Sequence, residues 1–136
     1  MISGRVIDIA GNIGTSGGAL TLTLDTTAPG TPSNPILLVA ASDSGSSNTD
    51  NRTNVSNPSL RISLAGTNAV AGDSLELLLD GSAFSTPVRS TLTGADIING
   101  YRDVTLTSGS LGADGSKVLT SRVTDIAGNV GNAGGT

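Results

Sequence analysis

Arg5-Val-Ile-Asp-Ile-Ala-Gly-Asn-Ile-Gly14 returns 117 residues later as Arg122-Val-Thr-Asp-Ile-Ala-Gly-Asn-Val-Gly131. Six of the eight intervening residues recur in register with the flanking Arg and Gly, and the match runs on through Gly17-Gly18 and Gly134-Gly135. Recurrence at a domain-sized period is the signature of a tandem array, in which each unit stacks on its neighbours. The period predicts that residues 1–29 are the C-terminal strands of one repeat with the start of a linker. Residues 30–136 are then a second repeat that lacks its last strand.

Around this anchor the pattern is that of strands. Ala19-Leu-Thr-Leu-Thr-Leu-Asp25 alternates apolar and polar residues strictly, as a half-buried strand does. Between Pro29 and Pro35 three prolines fall within seven residues; they remove backbone donors and stiffen the chain, so residues 26–35 read as an inter-domain linker. Further strands are expected at 35–40, 59–64, 74–80, 87–92, 102–107 and 118–124, with a long polar loop over 42–57. Ala71-Gly-Asp73, Asp80-Gly81, Asn99-Gly100 and Ala113-Asp-Gly-Ser116 supply the turn chemistry between them. Six strands with the alternating one make seven, and their spacing predicts an all-β fold, a seven-stranded immunoglobulin-like sandwich.

Composition agrees. The chain has 136 residues, 36% hydrophobic, with one Phe, one Tyr and no Trp, so a single core must be filled by Leu, Ile and Val. No Cys is present, which rules out disulfide stapling. Seven basic and eleven acidic residues leave a net charge of −4, with the basic ones scattered singly; nucleic acid is not an expected partner. No apolar run is long enough for a membrane-spanning helix, so membrane insertion is not expected.

The frame of the repeat raises a question of partners. The second copy stops where the alternating strand would begin. Residues 19–25 could complete the sandwich within the chain only if the following ten residues ran its full length, about 35 Å at most. The expected alternative is head-to-tail or strand-exchanged self-association.

Leu24-Asp-Thr-Thr-Ala-Pro29, Ser42-Asp-Ser-Gly45, Asn48-Thr-Asp-Asn-Arg-Thr-Asn54, Ala71-Gly-Asp73 and Val123-Thr-Asp-Ile-Ala-Gly-Asn129 together resemble the bacterial Ig-like repeats of giant biofilm-associated adhesins. The resemblance implies a large protein secreted by a type I system and held at the bacterial cell surface. It also implies a non-catalytic extender role, adjacent repeats as partners, and calcium rigidifying the domain junctions. Ca2+ requires six to eight hard oxygen ligands, and candidates lie in clusters: Asp25 at a strand end, Asp43 and Asp50 in the polar loop, and Asp8 with Asn12 repeated as Asp125 with Asn129. Carboxylates gathered at a junction would repel one another unless a cation sat between them. The plainer reading of each loop is turn formation, and Asp73, Asp80, Asp96, Asp103 and Asp114 read as turn or surface residues. The Asp43 loop lacks the ligand spacing of an EF-hand.

Other chemistry fits poorly. Gly14-Thr-Ser-Gly-Gly18 satisfies the nucleophile-elbow pattern, but the chain has no His to activate Ser16, and the repeat places Ala133 there. Lys117, the sole lysine, reads as a surface charge rather than a crosslinking group, and the sequons at Asn51 and Asn54 are assigned no role. A carbohydrate-binding module is the alternative from another class, with Tyr101 and Phe84 as the only aromatic platforms; homotypic adhesion between modules is a third.

Overall fold

The computed structural model describes residues 1–34 and 36–135, in nine elements. Strands β1 (Ile2–Gly4) and β2 (Gly17–Leu20) form a two-stranded antiparallel hairpin. The others are β3 (Leu37–Leu38), β4 (Ser59–Ser63), β5 (Ser74–Leu79), β6 (Ser82–Thr91), β7 (Tyr101–Thr105) and β8 (Leu119–Thr124), with one short helix, α1 (Gly94–Asn99). They make two antiparallel three-stranded sheets, ordered β3-β4-β7 and β6-β5-β8.

Period-two alternation decides what each strand buries. On β4, Leu60 and Ile62 point inward while Arg61 faces solvent; on β5, Leu75 and Leu77 do the same. These four meet Leu64, Phe84, Leu92, Leu106 and Val123 in one core between the sheets. The outer side of the second sheet is held by charge. Glu76 stands opposite Arg89 on β6 and Arg122 on β8, and its two carboxylate oxygens lie 2.9 Å from Arg89 Nη2 and 2.7 Å from Arg122 Nη2. Burial pushes the Glu76 carboxyl up, but the hydrogen bonds and charges of Arg122 and Arg89 outweigh it and hold it below the ordinary carboxylate range.

All six strands expected in residues 35–124 are present, with ends shifted by a few residues. Position 35 itself lies outside the described residues. The expected strand at 19–25 is different. It ends at Leu20 and pairs with β1 instead of joining the sandwich, and Leu22 and Leu24 are exposed. Alternation marks a strand with two unlike faces; it does not say against which sheet the apolar face lies. The sandwich therefore has six strands among the described residues, not seven.

The proline segment also differs from a free linker. Gly30 N donates to Thr67 O at 2.8 Å and Ser33 N to Ala65 O at 3.0 Å, so the segment runs along the end of β4 and becomes part of the domain wall. Contact with the final turn is equally close: a Cβ on Gly131 would lie 2.6 Å from Pro29 O, a distance that only glycine permits.

Candidate functional site

The two copies of the repeated stretch fold into the same turn. In the second, Asp125 Oδ1 accepts from Asn129 N and Asp125 Oδ2 from Asn129 Nδ2, both at 2.8 Å. In the first, Asp8 Oδ1 accepts from Asn12 N and Asp8 Oδ2 from Asn12 Nδ2, again at 2.8 Å. The closing bond, Gly131 N to Val123 O, recurs as Gly14 N to Val6 O, each 2.8 Å. The Asn side-chain amide, with the backbone N–H groups behind it, holds both Asp8 and Asp125 below the usual carboxylate range. The carboxylate oxygens thus close the turn, and the two copies differ only in surroundings: Val123 is fully buried and Val6 is 77% exposed.

The seven oxygen-bearing candidates fall in three places. Asp25, Asp125 and Asn129 share one end of the sandwich, where Asn129 Nδ2 donates to Asp25 O at 3.1 Å and a shallow concavity is walled by Asp25, Asp125, Asn68 and Asp73. Asp43 and Asp50 belong to the opposite end. From Gly30 beside Thr67 to Val39 beside Ser59 the chain follows β4 along its length, which carries the 42–57 loop away from Asp25. Asp8 and Asn12 lie in the exposed hairpin. Among the described residues no three acidic side chains stand close enough to hold a metal ion.

Asp73 is the residue that turn chemistry alone undervalues. Its backbone joins Val70 and Leu92, it is 2% exposed, and its Oδ2 accepts from Val70 N at 2.9 Å. Its Oδ1 is buried and has no partner. Leaving a charged oxygen buried and unbonded is costly. At the other end Asp43 repeats the situation: 5% exposed, Oδ2 bonded to Asn51 N at 3.0 Å, Oδ1 without a partner. Asp43 is among the ligand candidates read from the polar loop, whereas no sequence signal marks Asp73; the burial of both is set by tertiary packing. Asp96 also proves structural, its carboxylate bonding Thr93 N and Oγ1 in the cap of α1.

The sequence profile of the bacterial Ig-like domain matches residues 31–134. The chain belongs to that family. No curated protein and no solved structure matches it.

As a bacterial Ig-like domain the molecule has the family's sandwich, and such domains are typically non-enzymatic and often extracellular. No helix among the described residues is long and apolar enough to cross a membrane. Ser16 Oγ, the oxygen of the apparent elbow, bonds Ser3 Oγ at 3.0 Å and lies 3.5 Å from Gly4 O, neither of which is a base. Both aromatic rings of the Ig-like domain are engaged: Phe84 is 5% exposed in the core, and the Arg61 guanidinium sits 3.9 Å over the centre of Tyr101.

Proposed function

We propose that this Ig-like domain is an extender module of a secreted, cell-surface adhesin, serving cell adhesion and biofilm formation by setting a distal binding region away from the bacterial cell. Calcium at the junctions between modules supplies the stiffness. The observation that carries this reading is the pair of buried, unpartnered carboxylate oxygens, Asp73 Oδ1 and Asp43 Oδ1, at opposite ends of one sandwich.

The chain enters the sandwich at the Asp25 end, and after the 125–129 turn it heads back along β8 toward the Asp43 end. In a tandem array the Asp43 end of one module therefore meets the Asp25 end of the next. Asp25, Asp73, Asp125 and Asn68 from one side, with Asp43 and Asp50 from the other, are hard oxygen donors of the kind Ca2+ takes, and neither end alone supplies the six to eight it requires. The bound ion would relieve carboxylate repulsion across the junction. Without it, adjoining modules bend freely, so extracellular calcium controls the reach of the array.

Carbohydrate binding is the weaker reading, since sugar platforms need an open aromatic face and here Arg61 covers Tyr101. The test of the extender reading is thermal unfolding of a two-module piece, which contains a complete junction, with calcium and with chelator. A site bound only in the folded state stabilises by about 2.7 kcal/mol at a hundredfold excess over Kd, or about 10 °C or more for a domain of this size. Asp73→Asn should abolish the difference. Coincident melting midpoints with and without calcium, joined to unchanged scattering of a two-module piece, would sink the calcium part and leave an inert spacer.

A further inference from the structure

The proline segment that enters the domain and the segment after the 125–129 turn lie side by side and run the same way. A Cβ on Gly131 would stand 2.6 Å from Pro29 O, one on Gly134 2.5 Å from Pro32 O, and one on Gly135 3.0 Å from Asn34 O. Residue numbers rise together on the two sides, so 29–34 and 131–135 are parallel neighbours. Just past them Ile36 N donates to Gly135 O at 2.9 Å. Two backbones come this close because the second segment is glycine at each contact.

Each segment is tied on its far side to a different sheet. Gly30 N donates to Thr67 O at 2.8 Å and Ser33 N to Ala65 O at 3.0 Å, and further on Leu37 and Leu38 pair with Arg61 and Leu60 of β4. On the other flank Gly134 exchanges hydrogen bonds with Ser121 of β8 at 2.9 Å each, and Gly131 N donates to Val123 O at 2.8 Å. The parallel pair thus bridges β4 and the turn after it to β8. A second close wall holds the proline segment from the β4 side, where a Cβ on Gly66 would meet Thr31 O at 2.9 Å. Residues 29–34 therefore sit in a slot with glycine backbone on either side.

Tension applied along the chain enters this domain at residue 29 and leaves past residue 135. Because the two segments are parallel, opposite pulls at those points slide one along the other. Hydrogen bonds that cross the direction of pull stretch together and break as a set, whereas bonds at the end of a peeled ribbon break singly. The set has the higher barrier, and forced unfolding follows the barrier and not the equilibrium stability. We infer that residues 29–34 and 131–135 form a shear clamp, by which the domain withstands stretching along the chain. The inference rests on the extender reading only for the claim that such tension acts on the domain. Resistance itself belongs to the fold of one domain and needs no calcium, so it can fail or stand separately from the stiffening of junctions.

Single-molecule force spectroscopy of the whole chain in chelator tests it. No Cys is present, so handles attach only at introduced ones. Thr26→Cys with a cysteine added after Thr136 loads the pair in shear. Thr26→Cys with Asn132→Cys, both at exposed positions, holds the two segments at the same end and peels them apart. At one applied force the first rupture should be at least about tenfold slower in shear, the difference made by one or two further hydrogen bonds breaking at once. Gly134→Ala, whose Cβ meets Pro32 O, should remove most of that difference. If this variant does not fold, the two geometries compared on the native clamp decide alone. Equal rupture rates in the two geometries overturn the inference, as does an undiminished difference in folded Gly134→Ala.

Discussion

Val6 and Val123 occupy the same place in the repeated stretch, yet one is 77% exposed and the other fully buried. Substituting each by alanine therefore measures packing with local sequence held nearly constant. Val123→Ala removes two methyl groups from the contact with Leu75 and its neighbours in the core. At about 0.8 kcal/mol per buried methylene-sized group, the transfer loss is about 1.5 kcal/mol. The cavity left between two close-packed sheets raises the total to about 2–3 kcal/mol. For a domain of this size that lowers the melting temperature by about 10–20 °C. Val6→Ala removes nothing from a core and should stay within about 0.5 kcal/mol of the parent, a shift of at most a few degrees. Far-UV circular dichroism melts of the three proteins give the comparison. Equal shifts, or a larger one for Val6, would refute the claim that only the second copy is built into the sandwich.

Acid should expose the Glu76 network. Because the folded-state carboxyl lies below its ordinary value, its stabilisation is present above about pH 4.5 and is lost as pH falls through the folded value; Glu76→Gln should cost about 1–3 kcal/mol at neutral pH, less than a fully buried pair because both arginines are partly exposed, and should flatten the acid limb of a pH–melting curve. A steeper acid limb in the variant would contradict this. Gly131→Ala should be strongly destabilising, by about 2 kcal/mol or more, since its Cβ meets Pro29 O at 2.6 Å and Val123 O at 3.2 Å. Gly17→Ala, where nothing lies within 4 Å, should be neutral when both variants are compared by chemical denaturation, and equal costs would show that the proline segment does not press on the final turn.

The strands legible in the sequence were those with one face in the core. Leu60 and Ile62, or Leu75 and Leu77, advertise their burial through alternation, because the strand period and the layer geometry coincide. Where two structures share one pattern, the reading stops. Leu20, Leu22 and Leu24 alternate as well as any core strand, yet face solvent. Helix α1 left a trace in Thr93 and Asp96, the two ends of a capping box, but six residues are too few to show a helical period. The candidate site was legible in residue type more than in place. Asp25 and Asp125 do share one end, whereas the polar loop of Asp43 lies at the other, a separation fixed by how residues 30–39 are threaded along β4. Asp73 resembled any aspartate after a glycine; only packing makes its Oδ1 an unbonded buried oxygen.

The Asp–Asn clasp closes with the same bonds on a bare hairpin as it does inside the sandwich. Its formation needs only five neighbouring residues, so it is available as soon as they emerge during synthesis, well before distant strands can meet. A chain of near-identical modules runs a standing risk of joining a strand to its counterpart one module away. In the array proposed above, a turn that commits two strands to each other locally would settle their alignment first, and so guard the fidelity of the array against its own sameness.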